Sequence, residues 1–382
     1  MLTLYKFELR KIISRKIVWI TGGVLLVGLV IWGIASAVLP QNREYSDSSL
    51  NGYAANRAEQ EAAEQISGRA IDQKLIDEMR PAYEDFIFNG NYKEALPYLD
   101  VYNFIGRTLG TQAGAEILVC DSEAFYEKLN AQLEANTPAG LTESISFDEP
   151  IVYHGYFDGW RQIADMMKLI TCMEIMFIAI CLSTVFTVEH TRKTDQVILC
   201  TRLGKKKLYA AKTLAGLTVG VGFTLLLSLL MFGIIAFLYG FDGYDTILQF
   251  VLLRPFNLTV GQAALILVGL SFAGAALISI FTMMLSEVTK NSIATIGIIT
   301  GVLLVTMFIM EMPANLKLLS EIWYLLPSNL VSLNGAFRYS MFHVGGSPLA
   351  AYQYAPIVYL VLAVIFALIG KLTYNRYQIN GR

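Results

Sequence analysis

Apolar residues in this chain gather into long unbroken runs rather than spreading with a helical or strand period. Six runs, over residues 17–39, 167–187, 210–238, 260–285, 292–312 and 353–373, are long enough for a helix to cross a hydrocarbon core of about 30 Å. Between the first two lies a stretch, 40–166, with no such run. There the pattern changes to amphipathic pieces that predict helices over 53–66, 71–88 with Pro81 as an interruption, and 122–133. In the last, Asp121 or Ser122 suits a cap and Phe125, Leu129 and Leu133 form one stripe. Residues 144–153 alternate like a short extended piece, against which Pro150 weighs. Residues 1–16 place Leu2, Tyr5, Leu9, Ile12 and Ile13 on one helical face with five basic residues elsewhere, the pattern of an interfacial helix. The expected fold is an all-α integral membrane protein with six transmembrane helices and a mostly helical extracellular domain inserted between helices 1 and 2.

Composition agrees with that class: 55% of residues are hydrophobic and 16% charged, with a mean hydropathy of +0.51, whereas soluble domains carry about 25% charged residues. The net charge of −2 hides a segregation. Residues 41–165 hold 22 acidic and 9 basic residues, a balance of −13, which leaves +11 for the remainder. Short cytoplasmic loops carry the excess Lys and Arg. The basic segments therefore belong inside, the acidic insert outside, and alternation through six spans puts both termini in the cytoplasm of a cell-membrane protein.

The densest basic segment is 188–209, which joins the second and third runs. It carries Arg192, Lys193, Arg202, Lys205, Lys206 and Lys207, with Lys212 just beyond. Between these, Asp195 to Cys200 reads as a short surface helix whose apolar centre is Ile198 and Leu199. In order, the segment gives Glu189 at the end of a span, Thr191, Arg192 and Thr194, the apolar piece, then Thr201, Arg202, Gly204, three lysines, Ala211 and Lys212. This arrangement resembles the first cytoplasmic loop of ABC-2 type transporter permeases, and the six-run layout resembles them along the rest of the chain. The resemblance implies the permease subunit of an ATP-binding cassette exporter. Its loop would contact a separate ABC ATPase subunit through Glu189, Arg192, Lys193, Asp195, Ile198, Leu199, Arg202, Gly204, Lys205, Lys206 and Lys207. It also implies two permease subunits, as a homodimer or heterodimer, and a 313–352 loop that dips back into the outer leaflet.

No phosphate-binding glycine loop occurs, so ATP is expected to be used by the partner, with no cofactor bound directly and no enzymatic activity in this chain. Glu174 is the ionisable residue that stands out within the six runs, near the outer third of the second, and is a candidate pathway or intramembrane polar residue. A carboxyl hydrogen-bonded to a neighbouring helix is the equal alternative. Gly216 and Gly220, and again Gly297 and Gly301, have the G-x-x-x-G spacing of close helix packing. Tyr153, Tyr156, Phe157 and Trp160 read as an aromatic belt where the insert re-enters the membrane. Residues 246–253 are too short to cross and are expected along the outer surface. Ala35-Ser36-Ala37 has the form of a signal-peptidase site, but the 17–39 run exceeds a secretory core in length and is expected to remain a span. Four scattered cysteines suggest neither disulfides nor a metal site, and Cys120 alone is a reactive thiol if exposed. Nothing points to nucleic acid. A second class of function fits the same charge pattern: a non-transporting membrane sensor or scaffold with an extracellular ligand-binding domain.

Overall fold

The computed structural model describes residues 1–39, 50–111, 114–138, 145–191, 206–309, 312, 316–344 and 347–376. A bundle of long helices carries the insert at one end, and the basic loop joins helices at the other. The N-terminal helix α1 (Leu2–Ile13) is followed by α2 (Lys16–Val38). The insert contains α3 (Gly52–Glu64), α4 (Gln73–Asn89), α5 (Tyr92–Ala95), α6 (Leu99–Leu109), α7 (Gly114–Val119) and α8 (Ser122–Ala135). The bundle resumes with α9 (Asp158–Leu182), α10 (Thr184–Thr191), α11 (Lys206–Leu238), α12 (Val260–Thr289) and α13 (Ser292–Phe308). Short helices α14 (Lys317–Tyr324), α15 (Pro327–Leu330) and α16 (Leu333–Ala336) lead to strands β1 (Tyr339–Val344) and β2 (Ser347–Ala350) and to α17 (Ala351–Arg376).

Among the described residues, five helical stretches are long and apolar enough to cross a membrane: Lys16–Val38, Asp158–Glu189, Lys207–Leu238, Val260–Thr289 and Ala351–Asn375. The fifth expected run, 292–312, yields the shorter α13, whose 17 residues span about 26 Å. Its helix ends where Ile309 turns extended. At the centre is α12, which packs most extensively on α9 and α17. Two helices are longer than their apolar runs. α9 begins at Asp158 rather than near 167, because its first turns bury Ile163, Ala164 and Met167 against protein. α12 reaches Thr289 and takes in the fully buried Glu287, so Glu174 is not the lone buried carboxylate of the bundle.

The insert shares one hydrophobic core with the bundle. Asp121 caps α8 by accepting from the Ala124 amide, and Phe125, Leu129 and Leu133 are fully buried. α4 runs unbroken past Pro81, held by the burial of Leu75, Ile76, Met79 and Tyr83, so the expected interruption is absent. Tyr83 stacks on Tyr102 with ring centres 3.8 Å apart. Residues 246–253 do not lie along a surface: Leu248 and Phe250 are buried, and Phe250 stacks on Phe104 at 4.3 Å and meets Phe157 at 5.6 Å. The expected aromatic belt is likewise core, since Tyr153, Tyr156 and Phe157 are buried and only Trp160 is partly open. Their rings join insert to bundle instead of facing headgroups.

The all-α expectation is corrected in one place, a two-stranded antiparallel hairpin that pairs Tyr339 with Ala350, His343 with Pro348 and Val344 with Ser347. Among the described residues, 145–153 contribute one isolated bridge, Val152 to Ala70. The 325–337 segment folds into the bundle, with Leu330, Val331 and Phe337 buried, the Tyr359 hydroxyl donating to Leu325 O at 2.6 Å, and Pro327 packed against Gly274.

Candidate functional site: a buried ion cluster beneath the basic loop

Four charged side chains from three helices meet at the loop end of the bundle. Lys212, in the second turn of α11, has no exposed surface, yet its Nζ lies 2.5 Å from Glu189 Oε1 and 3.6 Å from Glu8 Oε2. Lys11 donates to the same Glu189 oxygen at 2.8 Å and lies 3.7 Å from Glu8. Lys212 also approaches the Phe186 ring, 5.4 Å from its centre. Taking such charges out of water is costly unless each is paired, and here two ammonium groups face two carboxylates. Glu189 closes α10, and Lys212 lies six residues into α11, so the pair ties together the two helices that the basic loop connects. Through Glu8 and Lys11, α1 is fastened to the same knot, and Tyr5 adds a hydroxyl contact to Thr218 at 3.0 Å.

Part of this was written in the sequence. Glu189 and Lys212 both belong to the loop pattern. Glu8 falls between Tyr5 and Ile12 at helical spacing, a carboxylate within the apolar stripe, so the packed face of α1 is Tyr5, Glu8, Leu9 and Ile12. Leu2 and Ile13 remain exposed.

Just above the knot the helix is spliced. α9 ends at Leu182 and α10 begins at Thr184. The carbonyl of Ser183 accepts from the Ser286 hydroxyl at 2.6 Å, and Arg15 donates to the Thr184 hydroxyl. Side chains from α12 and from the α1–α2 junction thus hold the joint between the upper and lower parts of this stretch. The loop residues Arg192, Lys193, Asp195, Ile198, Leu199, Arg202, Gly204 and Lys205 lie outside the described residues. Lys206 opens α11 and Lys207 is exposed on its first turn.

Glu174 lies midway along the Asp158–Glu189 helical stretch, which starts earlier than its apolar run. Its Oε2 accepts from Thr224 and Ser271, each at 2.9 Å, which links α9 to α11 and α12. Both donors are hydroxyls, so the carboxyl is held by neutral partners within a tight helix packing. Gly216 and Gly220 make that packing possible: a Cβ at the first would collide with Met283 and at the second with Ser279, both on α12. At Gly297 and Gly301 an added Cβ would meet open space within this chain. Cys120 is buried, and burial pushes its thiol up, so it is not an exposed reactive group.

At the insert end, a small cavity is lined by Asp100, Asp158, Arg161 and Glu59. Burial, then the charge of Asp158, push the Asp100 carboxyl up to about 7, with Glu59 adding to the rise. The hydrogen bond from the Tyr153 hydroxyl, 2.5 Å long, and the Arg161 charge act against it. Between the ordinary carboxylate value and about 7, the folded chain holds a proton that the unfolded chain has lost. Stability from this group is therefore full under acidic conditions and falls as pH rises to neutrality. Melting temperature in detergent is expected to drop from pH 5 to pH 8 more steeply in the wild type than in Asp100→Asn; equal slopes would contradict this.

A family model described as ABC-2 family transporter protein matches residues 2–368. No curated protein and no solved structure matches the chain.

Proposed function

Because the chain belongs to the ABC-2 family of transporter proteins, whose model covers nearly all of it, we propose that this multi-pass membrane permease is an exporter subunit driven by a separate ABC ATPase. In this reading Ser292–Phe308 is the fifth of six spans. The insert faces the outside of the cell membrane and both termini face the cytoplasm, as the charge segregation favours. ATP is bound and hydrolysed by the partner, and the chain itself is not an enzyme. Two permease subunits pair, and the open face at Gly297 and Gly301 is where the second one packs.

The observation that carries the reading is the Glu8, Lys11, Glu189 and Lys212 cluster. An ATPase that grips the 188–209 loop pulls on two helix ends. Because those ends are joined to each other and to α1, they move as one body rather than splaying. Force then reaches the Ser183 joint and the tightly packed α9, α11 and α12. The apolar centre of the loop, Ile198 and Leu199, supplies the grip, while the basic rim steers an acidic patch on the partner.

Ile198→Asp is therefore expected to weaken retention of the co-expressed ATPase and lower substrate-stimulated hydrolysis severalfold, whereas Lys206→Gln leaves both within about twofold. Pull-down and ATPase assay of the reconstituted complex measure this. An Ile198→Asp protein that inserts normally and keeps its partner and full hydrolysis would remove the loop from the coupling path.

A further inference from the structure

Hydroxyl side chains line the seam where α9, α11 and α12 face one another. Thr171 and Ser271 lie 3.5 Å apart, Ser271 and Thr224 both donate to Glu174, and Ser286 closes the lower end on the Ser183 carbonyl. Ser271 and Ser286 are fifteen residues apart on α12, so the file runs for about 22 Å, most of a hydrocarbon core of about 30 Å. A hydroxyl in a membrane helix ordinarily satisfies itself on the carbonyl four residues back. Thr213 and Thr218 of α11 do so, at 3.0 and 2.9 Å. Ser228 on α11 and Ser279 and Thr282 on α12 do not: their hydroxyl oxygens are buried with no hydrogen-bond partner among the described residues, and so is Oε1 of Glu174. These orphaned atoms share one seam. Ser228 continues the ridge of Gly216, Gly220 and Thr224 at four-residue spacing, Ser279 is pressed on Gly220, and Thr282 is one turn from both Ser279 and Ser286.

Each orphan makes the closed seam less stable than an apolar one of the same shape, because its desolvation is not compensated. The same atoms gain partners once the helices part, which lowers the free energy of opening. The ion cluster ties α11 to α10 and α1 and leaves α12 out. At Gly216 and Gly220, moreover, α11 offers backbone rather than an interlocking side chain. We propose that this seam is the closed form of a polar pathway, which parts to let water and the ammonium group of an amphipathic molecule reach Glu174. Charge selects that class. The seam holds one carboxyl with a free oxygen and hydroxyls that accept as well as donate, while residues 169–183, 213–238 and 271–286 contain no Lys or Arg. An ammonium finds acceptors there and an anion finds no cation. The pathway rests on the exporter reading for its purpose, but its opening is a property of this chain.

Thiol accessibility tests this in membranes, on the full-length chain with Cys120, Cys172, Cys181 and Cys200 replaced by Ala. One cysteine is then introduced as Ser228→Cys, Ser279→Cys or Thr282→Cys, or as Ile299→Cys, which is buried between α13 and α9 away from the seam. The probes are trimethylammonioethyl and sulfonatoethyl methanethiosulfonate, each rate divided by that reagent's rate with free cysteine. The three seam positions are expected to react severalfold faster than Ile299→Cys, and about tenfold faster with the cationic than with the anionic reagent. Glu174→Gln should bring the two reagents within about twofold while the seam positions stay reactive. Thr282→Val and Ser279→Ala, which exchange an orphaned hydroxyl for an apolar group, should melt in detergent at or above the wild-type temperature. Co-expressed ATPase with ATP should raise the seam rates; the same site pattern without that rise supports the pathway and counts against the exporter reading alone. Seam positions no more reactive than Ile299→Cys, with and without the ATPase, overturn the pathway and leave the loop-coupling test untouched. Equal rates of the two reagents with Glu174 in place overturn the ammonium assignment, and lowered melting in both apolar variants shows the hydroxyls bonded in the closed chain and overturns the proposal.

Discussion

Replacing Lys212 by Met is expected to cost about 3–5 kcal/mol, the penalty of removing one partner from a buried ion cluster. The methionine fills much the same volume, so the loss comes from charge rather than packing. With Lys212 gone, Lys11, itself one-third exposed at 32%, is the remaining lysine of the cluster against two carboxylates in a closed site. The effect should be visible as a lower melting temperature in detergent and a reduced yield of folded protein. Glu189→Gln added to Lys212→Met restores the balance of one cation to one anion and is expected to recover a large part of the loss. If the double variant is as unstable as the sum of the two single ones, the four groups do not act as a unit.

Phe250→Ala is expected to cost a further about 3–5 kcal/mol, the range for truncating a buried aromatic, and to act at the opposite end of the molecule. Phe250 is a bundle-loop residue inserted among Phe104, Tyr153 and Phe157, at ring distances of 4.3, 5.8 and 5.6 Å. Removing it takes away the ring about which insert and bundle are packed, while α8 keeps its own stripe. The insert should therefore loosen from the helices before it unfolds. Limited proteolysis distinguishes the outcomes: new cleavage between α8 and α9, with α3–α8 fragments persisting, supports this junction, and wild-type digestion at an unchanged melting temperature contradicts it.

The apolar runs disclosed most of the bundle because a helix facing hydrocarbon on most sides needs little else to announce itself. They failed where helices continue against protein. The first turns of α9 carry Arg161, Asp165 and Lys168, which broke the apolar run, although the helix there rests on the insert and follows amphipathic spacing. Similarly, 246–253 was too short to span, and only the tertiary fold reveals that Phe250 packs among the rings of the insert. The aromatics at 153–157 were visible as a cluster, but aromatic residues mark a membrane interface and a domain junction alike. Within the candidate site, Glu189 and Lys212 were legible as members of a loop pattern. Their union with Glu8 and Lys11 was not, since it depends on α1 folding back from the far end of the chain. Glycine spacing alone did not separate Gly216 and Gly220, pressed on α12, from Gly297 and Gly301, which face away from the chain.

The ion cluster at the base of the loop is also electrically balanced. With its groups ionised, two positive charges travel with two negative ones. A single charge crossing the full membrane field exchanges about 2.3 kcal/mol with a potential of 100 mV; a neutral group of four, moved a few ångströms along the membrane normal, exchanges almost none. Membrane voltage therefore does little work on this cluster itself.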